Sequence, residues 1–338
     1  MTHFLPSVVR GLAALSLMLA SAAAVAAEIV DAAYVEAALA RGAVVWDVRD
    51  AASYKDGHIP GAVNAGELGA VLRDPNREDW LPTSQVQAVL GKAGIDPLQR
   101  EVIAYSRLGD PNAYHAQAGL RYFGARSAKV FHGGLDAWQA AGKPVAKEAT
   151  VLPPVALTLA PPAASEVLWT PAMIERIKAR GTQIVDTRTP KEFAGEDVRA
   201  IRGGHIPGAI NMPFEDNWVD PQTGTKLASK QVNTRAGMSL KPTEELQKLY
   251  AGLDREREVV VYCQSGVRAS VTASVLRDLG FKDVKLYEPS WLGYAGTLSA
   301  PAEREVFFNV AALNGRLAAL QGRVGELEAE LTRVKAAR

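Results

Sequence analysis

The sequence repeats itself, and the repeat limits the folds open to it. "AVVWDVRD" (43–50) returns as "QIVDTRTP" (183–190), and "GHIPGAVN" (57–64) as "GHIPGAIN" (204–211). "EVIAYS" (101–106) returns as "EVVVYC" (258–263), and "AKVFHGGLDAW" (128–138) as "VKLYEPSWLGY" (284–294). The order is the same both times, so the chain carries two domains of one fold.

Within each copy, short β-rich runs alternate with helical patterns. In the second, "TPAMIERIKARG" predicts a helix capped by Thr170, with Pro171 in its first turn and Gly181 as its stop. "TQIVDT" and "EVVVYC" predict strands, "PTEELQKLYAGL" a helix with a capping-box pattern, and "ASVTASVLRDLG" a helix ending at Gly280 before the strand "VKLYE". Strands of this length separated by helices predict an α/β fold, each domain a parallel sheet covered by helices on both faces. Sites in such sheets form at the carboxyl ends of strands. The expected boundaries are 28–147 for the first domain, 148–166 for a Pro- and Ala-rich linker and 167–300 for the second.

Both ends lie outside the repeat. Residues 1–27 read as a secretory signal peptide: Arg10 is the positive flank, Gly11 to Val25 the apolar stretch, and Ala24-Val25-Ala26 or Val25-Ala26-Ala27 the cleavage site. That predicts a periplasmic protein, with an uncleaved membrane anchor as the alternative. At the other end, Val306, Val310, Leu313, Leu317, Leu320, Val324, Leu327, Leu331 and Val334 recur at heptad spacing. Residues 304–338 are therefore expected to form a coiled-coil helix joining two copies in parallel, with Arg323 facing Glu328 and Glu330 facing Lys335. A helix folded back on its own domain is the other possibility. Lysine plus arginine (38) nearly balances aspartate plus glutamate (37), so there is no nucleic-acid footprint.

The chain has one cysteine, Cys263, at the end of "VVVYC". One thiol cannot form an intrachain disulfide, and a lone thiol in a secreted protein points to reactivity or intermolecular pairing. The loop Cys263-Gln264-Ser265-Gly266-Val267-Arg268 runs from a strand end into a helix N-terminus. Backbone N–H groups of such a turn, with the helix dipole, make an anion-binding cup. Gly266 permits the curvature, and Arg268 adds positive charge beside the thiol. This arrangement suits attack by sulfur on an anionic donor.

With its paired D-x-R segments (Asp47-Val48-Arg49 and Asp186-Thr187-Arg188), its two G-H-I-P-G-A-x-N stretches and the Cys263 loop, the sequence resembles the tandem-domain rhodaneses over roughly residues 28 to 300. The resemblance implies a sulfurtransferase. The sequence has no zinc-type ligand cluster and no Gly-rich phosphate loop before a Lys, so neither metal nor nucleotide cofactor is expected. Cys263 would take sulfane sulfur from thiosulfate, become a persulfide and pass the sulfur to a thiophilic acceptor such as cyanide or a thiol. Gln264, Ser265, Gly266, Val267 and Arg268 would bind the anionic donor. Arg188 is a further candidate, because the mercaptopyruvate branch binds substrate with an arginine at this motif. That branch also uses an arginine where this chain has Ala194, and its loop typically reads C-G-S-G-V-T, from which Gln264 and Arg268 depart. Thiosulfate is therefore the favoured donor and 3-mercaptopyruvate the alternative.

In the first copy Ser106 stands opposite Cys263 and Pro111 opposite Arg268, while Asp110 would repel an anion. That domain is expected to be non-catalytic. His58 and His205 occur in both copies and read as structural. Arg199 and Arg202, in the insertion "AGEDVRAIRG" of the second copy, are expected to be solvated loop charges, with approach to the site as the alternative. Two rivals remain. Phosphatases of this fold place arginine one residue further from the cysteine, in a wider cup, and a non-enzymatic binding protein would leave Cys263 inert.

Overall fold

The computed structural model describes residues 27–159 and 165–336. All of the expected signal segment except Ala27, and part of the linker, lie outside the described residues. Among those described, no helix is long and apolar enough to cross a membrane.

The first domain runs β1 (Ile29–Val30), α1 (Ala32–Ala40), β2 (Val44–Asp47), α2 (Ala51–Asp56), β3 (Val63–Asn64), α3 (Leu68–Leu72), α4 (Thr83–Lys92), β4 (Val102–Tyr105), α5 (Pro111–Tyr122), β5 (Ala128–Phe131) and α6 (Gly134–Ala140). The second runs β6 (Val167–Leu168), α7 (Thr170–Ala179), β7 (Gln183–Asp186), α8 (Pro190–Phe193), β8 (Arg202–His205), β9 (Ile210–Asn211), α9 (Thr223–Ala228), α10 (Thr243–Leu249), β10 (Val259–Tyr262), α11 (Val267–Asp278), β11 (Val284–Tyr287) and α12 (Ser290–Gly296). Strand β12 (Glu303–Phe307) and helix α13 (Val310–Ala336) follow.

Each domain has a parallel five-stranded sheet, ordered β1-β5-β4-β2-β3 in the first and β6-β11-β10-β7-β9 in the second. Alternate residues of the central strands feed opposite cores, as the period-2 pleat dictates. Val44, Trp46, Val102 and Ala104 pack with Leu68, Leu90 and Leu120, whereas Val45, Ile103 and Tyr105 pack with Val35, Leu135 and Trp138. Val259, Val261 and Cys263 likewise join Leu246 and Leu276 on one face, and Val260 and Tyr262 join Met173 and Trp291 on the other. Both faces are covered, which is why these strands read as continuous apolar runs. Helices α5 and α11 pack against each other between the two sheets. Each starts at the carboxyl end of its domain's central strand, so the interface leads directly to the loop holding Cys263.

Several local expectations need correction. Thr170 is the first helical residue of α7, not its cap; its hydroxyl meets Tyr287 Oη at 2.8 Å, and the helix stops at Arg180 in the left-handed region. Helix α10 begins after Pro242 with no side-chain cap. A true capping box lies elsewhere, between Thr189 and Glu192 at the start of α8. The second domain also extends past residue 300. Val306, expected in the heptad seam, belongs to β12, which pairs antiparallel with β8. The helix begins only at Val310 and carries no buried residue, so it does not fold back on its domain.

Candidate active site

Strand β10 ends at Tyr262 and delivers Cys263 into the loop, where the thiol residue is 1% exposed and belongs to the core beside α11. Gly266 sits at φ +85°, a left-handed conformation that L side chains rarely adopt, and lets the chain turn straight into α11. The loop's carbonyls are pinned from outside: Trp291 N–H donates to Cys263 O (3.0 Å), Leu292 N–H to Gln264 O (2.9 Å) and Ser270 N–H to Gly266 O (3.1 Å). Cys263 N–H donates to Ser290 Oγ at 3.2 Å. The N–H groups of Gln264, Ser265, Gly266, Val267 and Arg268 have no acceptor among the described residues. A row of unspent donors at a helix start is an anion receptor.

The first domain builds the same turn and then partly fills it. Gly109 sits at φ +76°, and Leu135 N–H donates to Ser106 O as Trp291 does to Cys263 O. Here, however, Asp136 accepts from Leu108 N–H (2.9 Å), and Asp110 accepts from Asn112 N–H (3.0 Å) and from the Ser106 hydroxyl. Arg107 pairs with Asp136 at 2.6 Å. Asp136 does more than repel an incoming anion: it occupies the N–H that matches Ser265's, while Asp110 N–H is spent on Arg107 O and Pro111 has none to offer.

Arg268 departs from expectation. Its guanidinium forks onto Glu192 at 2.8 and 2.7 Å, and that carboxylate is 1% exposed. Burial alone would push the Glu192 pKa up, but the hydrogen bonds and charge of Arg268 hold it down, at about 2. Burial opposes the charge of Arg268 as well, yet Glu192 and Cys263 beside it raise its pKa above the usual value. Much of the arginine's charge is therefore met by Glu192, and anion attraction falls mainly to the backbone donors. Gln264 lies along the loop, its Nε2 donating to Arg199 O at 2.9 Å. Ser265 and Val267 are half-buried on the loop's crest.

Arg188 is held elsewhere. It forks onto Asp186 (3.0 and 2.6 Å), donates to Gly204 O (2.7 Å) and lies over the Trp291 ring at 4.7 Å. Arg49 makes the same contacts with Asp47 and Gly57 O, so the pair belongs to the fold. The structure leaves Arg188 no free fork for a substrate. His58 and His205 stack on Tyr54 and Phe193 and bond the Tyr54 and Phe193 carbonyls, as structural residues do. Arg202 is no solvated loop charge: it is buried, bonded to the carbonyls of Tyr294, Ala295, Thr297 and Ala300, and paired with Glu305. Arg199, half-exposed, reaches to 3.5 Å from Glu192.

Three residues near the loop escaped the sequence reading. Glu192 was signalled by its capping-box motif. Glu215, partly buried, has its pKa raised by burial, against the pull of Arg268. Glu288 lies directly behind the loop: a Cβ added to Gly266 would stand 3.1 Å from its Oε2. Both its carboxylate oxygens lack a hydrogen-bond partner, and His115 Nε2 of the first domain is 3.5 Å from Oε1. Burial pushes the Glu288 pKa up to about 8, with Arg73 pulling it down and Asp79 adding to the rise. Burial, then Arg73, holds His115 well below its usual range.

The Rhodanese-like domain model matches residues 31–141 and 170–297. The thiosulfate sulfurtransferase of Corynebacterium glutamicum is 31% identical over 279 residues, covering 77% of this chain and 84% of its own length. That of Azotobacter vinelandii is 31% identical over 265 residues, covering 77% and 90%. A Mycolicibacterium smegmatis protein with thiosulfate sulfurtransferase in its name is 33% identical over 265 residues, covering 75% and 88%. Among solved structures, the anaerobic ergothioneine biosynthesis enzyme from Chlorobium limicola, in complex with trimethyl histidine, superposes with a TM-score of 0.68 at 19% identity. It covers 82% of this chain and 70% of that one, a likeness of fold.

Proposed function

The chain belongs to the rhodanese family of sulfurtransferases, and from that premise we propose that it moves sulfane sulfur from thiosulfate through a Cys263 persulfide. The observation that carries this reading is the row of unspent N–H groups around the chain's only thiol, set against the matching row of the first domain, where Asp136 takes Leu108 N–H, Arg107 O takes Asp110 N–H and Pro111 has none. The Cys263 thiolate attacks the outer sulfur of thiosulfate. The sulfur–sulfur bond of the donor breaks, its electron pair leaves with sulfite, and the outer sulfur stays on Cys263. The loop N–H groups hold the sulfonate oxygens as charge builds on the departing sulfite. A thiophilic acceptor, cyanide or a thiol, then attacks the outer sulfur and frees the thiolate, giving ping-pong kinetics.

The alternative donor, 3-mercaptopyruvate, needs a cation for its carboxylate. Arg188 and Arg268 are the nearest candidates, and both are already paired with carboxylates. Small oxyanions suit a backbone cup better. We further propose a periplasmic protein, from the signal-like segment, and a homodimer joined through α13, from its exposed heptad seam.

Mass spectrometry of the protein mixed with thiosulfate alone should find one added sulfur on the Cys263 peptide, and Cys263→Ser should abolish both this and sulfur transfer. If neither thiosulfate nor mercaptopyruvate modifies the peptide while an aryl phosphate is hydrolysed, the phosphatase reading replaces this one. An unmodified peptide with no hydrolysis leaves a binding protein.

A further inference from the structure

A trans peptide points its C=O and the next residue's N–H in opposite directions. Every peptide described here is trans. Anchoring a loop carbonyl on the outer side therefore aims the following N–H into the cup. Trp291 and Leu292 do this for Cys263 O and Gln264 O, and so direct the N–H groups of Gln264 and Ser265. Both anchors come from the second domain. The next carbonyl, Ser265 O, is held by Arg73 of the first domain, whose Nη2 lies 2.5 Å away. No described group of the second domain bonds that oxygen.

Arg73 is firmly placed. It follows α3, is 7% exposed, bridges Trp80 through its backbone and donates also to Glu78 O. Trp80 in turn stacks on His115 at 4.6 Å. The internal repeat supplies a matched counterpart. Leu108 occupies in the first loop the place of Ser265 in the second, and Leu108 O accepts from Arg235 Nε of the second domain at 2.7 Å. Each domain thus sends an arginine to the same carbonyl of its neighbour's loop. Only one of those loops carries a thiol.

We infer that Arg73 is a positioning residue for the anion cup: from the first domain it fixes the Ser265–Gly266 peptide so that Gly266 N–H faces the oxyanion bound at Cys263. The inference rests on the proposed sulfur transfer and gives the first domain a part in it. The first domain supplies one wall of the receptor's geometry, and Arg235 is the built-in control, an equivalent interdomain bond to a loop without chemistry.

The test uses the full chain and follows sulfur loading in a single turnover against thiosulfate concentration. Arg73→Gln should raise the half-saturating thiosulfate concentration about tenfold, the scale of one lost charge-assisted hydrogen bond, with a smaller change in the limiting rate. Arg235→Gln should stay within about twofold of wild type. Arg73→Lys, which keeps the charge and loses the planar fork, should fall between. A loading curve for Arg73→Gln that superimposes on wild type overturns the inference. So does an equal shift in Arg235→Gln, which would mean that both arginines merely hold the domains together. Should Arg73→Gln fail to fold, Arg73→Lys against Arg235→Lys is judged by the same criterion. If wild type takes no sulfur from thiosulfate, the proposed reaction fails, and calorimetric titration with sulfate decides the positioning role separately. Weaker sulfate binding in Arg73→Gln alone supports it; equal binding, or none in any form, overturns it.

Discussion

Glu288 stands behind the Cys263 loop with neither carboxylate oxygen hydrogen-bonded, and burial lifts its pKa from 4.5 to about 8. A folded-state pKa above the ordinary value means that the folded protein holds the proton more tightly. Its contribution to stability is therefore complete below about pH 4.5 and lost as pH rises through about 8. Glu288→Gln removes that loss, so thermal melts should show the variant gaining on wild type across this window, by on the order of a few kcal/mol at its alkaline end. Activity should follow. Above about pH 8 an ionised carboxylate beside Gly266 opposes an anionic donor, and thiosulfate turnover should decline, the decline moving to higher pH in the variant. The Glu192–Arg268 pair makes a second prediction. Glu192→Gln frees the arginine's charge beside the cup and should lower the half-saturating thiosulfate concentration severalfold. Arg268→Ala should raise it and, by leaving buried Glu192 only the 3.5 Å ion pair with half-exposed Arg199, cost up to about 3–5 kcal/mol in a denaturant melt. Cys263 was legible because a lone thiol at a strand end has few structural explanations. Glu288, His115 and Arg73 were not, because their meaning lies in contacts across a domain interface that no local spacing encodes.

The loops show how two copies of one turn diverge. The sequence aligned Ser106 with Cys263 and marked Asp110 as hostile to an anion, but the capture of Leu108 N–H by Asp136 depends on α6 meeting the loop in space. A double variant, Ser106→Cys with Cys263→Ser, should therefore transfer no sulfur above background in a cyanide assay, because the new thiol meets a cup whose donors are partly spent or missing, beside the Asp110 carboxylate. Substantial turnover would mean that the aspartates are easily displaced. Regular elements were readable where apolar residues ran unbroken, as in β4 and β10. Caps were less so: Thr170 had a better partner in Tyr287 than the start of its own helix. The insertion before the second G-H-I-P-G-A-x-N stretch read as a solvated loop from its charges. Its end is strand β8, because β12 pairs with it and Arg202 finds carbonyls at the end of α12.

At the scale of the molecule, the repeat predicted two similar domains, and the pairing of α5 with α11 turns them into one body with a shared core that includes Val167, Trp218 and Val271 beside Trp80 and Leu120. What stands outside that body is α13, whose Val310, Leu313, Leu317, Leu320, Val324, Leu327, Leu331 and Val334 are all exposed. Valine at Val310 and Val324 with leucine at Leu313, Leu320 and Leu327 favours two strands. Light scattering should find a dimer for the chain and a monomer once residues 309–338 are removed. The cut belongs after Phe308, since removing β12 would strip β8 and leave Arg202 without Glu305. A monomer in both cases would remove the coiled-coil proposal. The root of α13 also fixes a reach. Its 27 residues extend about 40 Å from the β12–β8 pair. Whatever grips the far tip holds the two rhodanese-like domains at arm's length, as a spacer would; in the proposed parallel pair, both copies would hang from the same end.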